Sequence, residues 1–369
     1  MKIGFIIKYF RPFIGGAENV AYYLAKELAK HNEVHVFTSD RKDSKILKKE
    51  EIIDNIHVHR CKVISYRYHL TFSPEMLKKI LNTKLDVLHI YSLGFIWNDT
   101  IALLKKISSK TKIYLTPHGP FMTLKKYTPL QYLIKLKITF LEFFTNKIYT
   151  NVFQDNPYQY EWMTKAGIPK NKIKLLPLGI PKEYLKQRKS LKEYKNKFVI
   201  SYLGRIQRYK GLDQIIKVLP SFPNITFVAI GAYDDGYGYY KELAKKLDVE
   251  KQVVFLGEVP EEKKLQVLAS SKIFILPSEW EAFGLAQLEA MSQGNAVIAT
   301  KTEGSRFLIK KENGLLYDFS NLEQLKKHLS TLINNKKLLD TISFNNREKA
   351  KTMTWDITAK KLEKVYKEK

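Results

Sequence analysis

Two glutamates with seven residues between them, Glu281 and Glu289, stand in the segment Pro277–Thr300, PSEWEAFGLAQLEAMSQGNAVIAT. It directly follows the apolar run KIFIL, and Phe283-Gly284 precedes a helical pattern from Leu285 to Gln293. That order puts Glu281 on a loop at a strand end and Glu289 about one and a half turns into a helix, so both carboxylates can face one cleft. A carboxylate accepts two hydroxyl hydrogen bonds, which suits a ribose or a hexose. The helix start at Gly284, Leu285 and Ala286 offers backbone N–H groups to phosphate or sugar oxygens. An acidic helix start alone is ordinary, because the helix dipole favours it. The combination of serine, two glutamates, Phe-Gly and Ala-Met is not.

Further candidates also fall just after apolar runs. In YLGRIQRYKG (Tyr202–Gly211), Arg205 and Lys210 are two cations at a strand end. Such a pair can neutralise a diphosphate and stabilise its charge as a bond to it breaks. Basic loop residues taken singly would mean only a solvated surface. In FIGGAENVAYYLAKEL (Phe13–Leu28), Gly15 and Gly16 precede a helix, where backbone can approach an anion closely. A tight turn explains most such pairs, and the G-x-G-x-x-G spacing of a dinucleotide site is missing. In YLTPHGP (Tyr114–Pro120), His118 follows a strand.

The elements that must position these residues alternate. Short apolar runs at Ile3–Ile7, Val34–Thr38, Val87–Tyr91 and Ile113–Thr116 are separated by amphipathic stretches such as Ala17–Lys30. A second series begins at Phe198: FVISYLG, ITFVAIG, VVFLG, KIFILPS and AVIAT. Strands alternating with helices imply parallel sheets with right-handed crossovers. The length of 369 residues fits two domains of ordinary size. The expected division is an N-terminal Rossmann-like domain over 1–180, a lysine-rich linker over 181–197 and a C-terminal domain over 198–353. An amphipathic helix over about 354–369 is expected to pack back on the first domain. The fold class is α/β: two doubly wound parallel-sheet domains facing a central cleft, with ligands beyond the carboxyl ends of the strands.

The Glu281–Glu289 block resembles the E-x(7)-E region of family 4 glycosyltransferases, which have the GT-B fold. The resemblance extends over nearly the whole chain, to the closing helix with Trp355, and is most specific in the second half. It implies that Arg205 and Lys210 hold the diphosphate of a nucleotide-sugar donor, and that Glu281 holds the donor sugar and Glu289 the ribose. It also implies that Phe283, Gly284 and Leu285 meet the donor, and that His118 contacts the donor sugar near the scissile bond. VVFLGEVPEEK resembles the segment that packs around the nucleotide base, with Val259 a candidate. The loop of Gly15 and Gly16 reaches over the donor phosphate in the family, and the Gly304-Ser305 turn is a further approach to the donor. Leu178 stands where the family often has asparagine, Asn295 where proline is common and Arg306 where an acidic or small residue is common; these departures bear on donor specificity. The implied activity is transfer of a hexose-type sugar, with retention, from a UDP- or GDP-sugar to a glycan or lipid-linked acceptor. No cofactor and no metal are expected, since Arg205 and Lys210 can replace a divalent ion electrostatically.

Composition sets the bounds. One cysteine, Cys61, allows no internal disulfide and no cysteine-based zinc site, which points to a reducing, cytoplasmic setting. No apolar run is long enough to cross a bilayer, and the start MKIGFIIKYF reads as a strand rather than a signal peptide. The net charge of +26 seeks polyanions. It is spread along the chain without a nucleic-acid reader motif, so nucleic acid is not an expected partner. An anionic membrane surface is one. Phe121–Thr150 holds five lysines, one acid and many large apolar residues, and reads either as a basic face leaning on the inner side of the cell membrane or as a core helix on the first sheet. The competing functions are another GT-B enzyme such as an epimerase or a phosphorylase, a sugar-nucleotide sensor without catalysis, and a basic polyanion-binding protein.

Overall fold

The computed structural model describes residues 1–42, 45–64, 72–93, 96–118 and 128–368. The chain divides into two compact units, Met1–Leu178 with Trp355–Lys369, and Gly179–Thr354.

The strands of the first unit are β1 (Lys2–Ile6), β2 (Glu33–Ser39), a two-residue ribbon β3 and β4 (Arg41–Lys42, Lys45–Ile46), β5 (Glu50–Ile53), β6 (Ile56–Cys61), β7 (Val87–Tyr91), β8 (Lys112–Thr116), β9 (Asn151–Gln154) and β10 (Ile173–Leu175). Its sheet runs β10-β9-β8-β7-β1-β2-β6-β5, parallel throughout except for β5, which pairs antiparallel with β6. The central strands are buried on both faces, as the runs VLHIY and KIYLT require of a sheet covered by helices. Strand order reverses between β1 and β7, so the carboxyl ends of those strands flank a crevice. Helix Gly16–Leu28 buries Val20, Ala21, Leu24, Ala25 and Leu28, one face at helical spacing. Helix Trp355–Lys367 belongs to this unit. Trp355 stacks on Tyr23 with ring centroids 5.9 Å apart, and Thr358 donates to the Pro177 carbonyl at 2.9 Å.

The second unit holds β11 (Phe198–Leu203), β12 (Ile225–Ile230), β13 (Val253–Gly257), β14 (Ile273–Leu276), β15 (Ala296–Thr300) and β16 (Gly314–Tyr317). All are parallel, in the order β13-β12-β11-β14-β15-β16, the Rossmann order with its reversal between β11 and β14.

The expected linker is corrected. Residues 181–197 pack into the second unit, and the division falls at Leu178–Gly179. Tyr184 and Tyr194 are buried, Gln293 donates to the Tyr184 carbonyl at 2.6 Å, and the Leu191 amide donates to Ser270 at 2.8 Å. Three spaced anchors, Tyr184, Leu191 and Tyr194, hold a strap whose lysines face water; average composition hides that spacing.

Candidate active site

The switch point of the second unit gathers its chemistry from two loops. The loop after β11 runs through Arg205 into a 3-10 turn, Arg208–Lys210, and Gly211 opens helix Leu212–Val218. The loop after β14 carries Pro277 to Gly284. The Glu279 amide donates to the Tyr209 carbonyl at 2.9 Å, which ties the two loops. Gly211 has φ +69°, and a Cβ there would stand 2.3 Å from the Pro277 carbonyl oxygen, so only glycine allows the loops this close. Across the same junction Lys210 Nζ lies 2.5 Å from Glu281 Oε1, which also accepts from Ser278 Oγ at 3.0 Å. Burial works against the Lys210 charge, but Glu281 and Tyr209 together outweigh it and hold the ammonium above its ordinary pKa. Lys210 is therefore a fixed cation at a strand end.

Arg205 behaves differently. It is 62% exposed, and its nearest acid, Asp234 Oδ2, is 3.9 Å away, which leaves the guanidinium loosely held.

Gly284 has φ +83° and caps helix Leu285–Ser292 without a side-chain bond. Phe283 is buried, and Gly304 packs so closely on it that a Cβ would stand 2.3 Å from the Phe283 carbonyl oxygen. Gly304 lies not in a loop turn but in the first turn of helix Glu303–Leu308, and its amide donates to the Glu281 carbonyl at 3.1 Å, so the start of that helix braces the Glu281 loop. Glu289 projects from the helix and pairs with Lys264 at 2.7 Å. Burial raises the Glu289 pKa, against the pull of Lys264. Lys264 is desolvated as well but kept above its ordinary value by Glu289 and Glu261. The two glutamates thus have separate cationic partners. Val259 follows β13 and packs beside the cluster of Tyr194, Val199 and Val228.

The carboxyl ends of the first sheet carry the other candidates. Gly15 is the extended N-cap, at φ −170°, of the helix that Gly16 begins, and a Cβ on Gly16 would meet nothing within 4 Å. His118, just beyond β8, holds the left-handed backbone at φ +58°. Its ring lies nearly parallel to that of Tyr91 at 5.6 Å, and Nδ1 lies 3.5 Å from Asp155 Oδ2.

Lys264, Asp155 and Asp234 carry no motif signal in the sequence. Lys264 lies among adjacent charges in EEKKL, where helical spacing from Glu261 is the visible signal. Asp155 directly follows β9, a four-residue strand too short for its pattern to be read.

Two parallel-sheet α/β units, the second with the Rossmann order and a cation–carboxylate junction at its switch point, define the class: a GT-B protein. The comparisons agree. Residues 183–349 match the family model "Glycosyl transferases group 1" and residues 14–184 match "Glycosyltransferase Family 4". The chain belongs to the group 1, family 4 glycosyltransferases, as its residues implied, and is a glycosyltransferase. It is 25% identical over 305 residues to the sulfoquinovosyl transferase SQD2 of Arabidopsis thaliana, covering 79% of this chain and 58% of that one. It is 31% identical over 151 residues to the alpha-galactosylglucosyldiacylglycerol synthase of Streptococcus pneumoniae, 37% of this chain and 40% of that one. The match thus spans less than two thirds of either relative. Among solved structures, sucrose-phosphate synthase from Thermosynechococcus elongatus has a TM-score of 0.81 at 19% identity, covering 99% of this chain and 98% of that one. The Anabaena protein HepE, solved with UDP and glucose, has a TM-score of 0.77 at 18% identity, covering 99% of each chain. These likenesses establish the GT-B fold.

Proposed function

We propose that the protein moves a hexose-type sugar from a UDP- or GDP-sugar to a glycan or lipid-linked acceptor, with retention at the anomeric carbon and without a metal. The observation that carries the reading is the Lys210–Glu281 pair at the switch point of the second sheet, 2.5 Å apart. One member suits a diphosphate and the other sugar hydroxyls. Lys210 and the loosely held Arg205 neutralise the diphosphate, helped by backbone N–H groups at the helix start beyond Gly284. Glu289 holds the ribose, and Val259 lies beside the base. His118 meets the donor sugar. The bond from the anomeric carbon to the phosphate oxygen breaks through an oxocarbenium-like state. The acceptor oxygen bonds to that carbon on the same face, and its proton passes to the leaving phosphate. The HepE structures with UDP, and with UDP-glucose, support a nucleotide-sugar donor. A thermal-shift panel of UDP-, GDP- and ADP-sugars tests this, because a ligand of the folded state raises the midpoint. A rise at the lowest concentration with a UDP- or GDP-sugar is expected; no rise with any of the three removes the reading.

We further infer that the protein is cytoplasmic and that its acceptor lies at an anionic membrane. Among the described residues no helix is long and apolar enough to cross a bilayer. Helix Pro129–Thr145, however, exposes Tyr132, Leu133, Leu136, Phe140, Phe143 and Phe144. Lys137 stands on the same exposed face, and Lys147 lies over the Phe143 ring. Large apolar groups with lysines and few acids suit an anionic interface. The segment 121–127 of the same sequence signal lies outside the described residues. Co-sedimentation with phosphatidylglycerol rather than phosphatidylcholine vesicles is expected, and equal recovery with both contradicts it.

A further inference from the structure

Three buried polar atoms meet at the carboxyl ends of three adjacent parallel strands of the first sheet. Tyr91 ends β7, His118 lies two residues beyond β8 and Asp155 one residue beyond β9. Tyr91 is wholly buried and Asp155 almost so. Among the described residues, Tyr91 Oη, His118 Nε2 and Asp155 Oδ1 each lack a hydrogen-bond partner. Unpartnered buried polar atoms are costly, so three at one place mark a site built for something beyond stability. The other atoms of the same groups are engaged. Asp155 Oδ2 lies 3.5 Å from His118 Nδ1, and the Asp155 amide donates to Gln159 Oε1 at 2.8 Å, which fixes the loop.

We infer that Asp155 is the positioning residue of His118: its carboxylate accepts the Nδ1–H, sets the ring so that Nε2 is the ligand-facing atom, and stabilises the imidazolium when His118 meets the negative charge of a donor. This rests on the reading of His118 as a donor contact. The separation of 3.5 Å is longer than a good hydrogen bond and shortens on ligand binding, as hydrogen bonds at such sites commonly do. The surroundings of the ring allow the role. From β7, Tyr91 stacks on His118 and has no charge to offer, since burial holds its phenol well above its ordinary pKa. His89, also on β7, bonds to Tyr366 Oη and to Thr116 Oγ1, and burial first, with His118 adding, holds it well below its ordinary pKa. His89 is therefore neutral, and Asp155 is the acid that His118 faces.

The test uses the full chain and Asp155→Asn, which keeps size and removes charge, with Asp155→Glu beside it. The imidazole resonance of His118, followed by NMR without ligand, reads the pair directly. The ring proton is expected on Nδ1 in the unaltered protein and in Asp155→Glu, and on Nε2 in Asp155→Asn. Cleavage of UDP-glucose and GDP-mannose serves as the second readout, with a fall in kcat of tenfold or more expected for whichever is cleaved. A folded Asp155→Asn protein with the His118 tautomer unchanged overturns the inference. A changed tautomer with unchanged cleavage overturns the role in transfer. An unaltered protein that cleaves neither sugar counts against the donor reading, while the NMR result still decides on the pair.

Discussion

Lys210 Nζ and Glu281 Oε1 stand 2.5 Å apart across the reversal of strand order in the second sheet, one on the loop after β11 and the other on the loop after β14. The contact joins a cation for phosphate to a carboxylate for hydroxyls. Removing either member leaves the other desolvated and unmatched.

For Glu281→Gln, kcat/KM for sugar transfer is expected to fall about a hundredfold, some 2.7 kcal/mol of transition-state stabilisation. Without the Glu281 carboxylate, the Lys210 pKa drops from its raised value. A raised lysine contributes stability that is complete below the unfolded pKa and is lost as pH rises through the folded one, so the unaltered protein loses this share only in the alkaline range. Chemical denaturation from pH 7 to 11 checks that window; an alkaline loss of the same size in Glu281→Gln contradicts it.

Asp99 provides a pH test away from the site. It is buried and accepts from Tyr149 Oη at 2.5 Å, and burial pushes its carboxyl up to about 6. A raised carboxyl favours the folded state at low pH, and that contribution is lost as pH rises from the unfolded value through about 6. Asp99→Asn removes this slope, worth roughly 3 kcal/mol. Urea unfolding between pH 4 and 7 should therefore show a flatter profile for the variant, and an unchanged profile speaks against a buried acid there.

The closeness of the two loops depends on Gly211. Gly211→Ala adds a Cβ against the Pro277 carbonyl at positive φ. A loss of about 2–4 kcal/mol is expected from strain and displacement together. Nucleotide affinity should weaken with it, because Lys210 is the preceding residue. A variant of unaltered stability and affinity would show that the junction tolerates separation.

Metal independence is checked by transfer assays in excess chelator. Activity within twofold of the untreated protein is expected, since Lys210 and Arg205 carry the positive charge. Complete loss, restored by magnesium or manganese, contradicts that.

The fold is legible in the sequence where the apolar pattern is long. VLHIY and AVIAT are continuous apolar runs and became central strands. Ile56–Cys61, IHVHRC, mixes two histidines and an arginine with three apolar residues and carries no clear strand signal. In the structure it lies beside β2 with His59 stacked on His35 at 5.1 Å, and a pattern half polar in sequence is satisfied by contacts between strands. Asn295 departs from the family's common proline for a visible reason: its side-chain amide donates to the Leu268 and Ser271 carbonyls, 2.8 and 2.6 Å away. The types of the site residues could be read, but not their partners. Lys264 beside Glu289 and Asp155 beside His118 are brought together by the fold over 25 and 37 residues of separation, beyond any local signal.

Whether Lys210 grips a diphosphate at the switch point is decided by isothermal titration of UDP and GDP into the unaltered protein and into Lys210→Met. Binding of at least one nucleotide to the unaltered protein is expected, with a loss of tenfold or more in the variant, about 1.4 kcal/mol. Equal affinity in both proteins, with the variant folded, would contradict it.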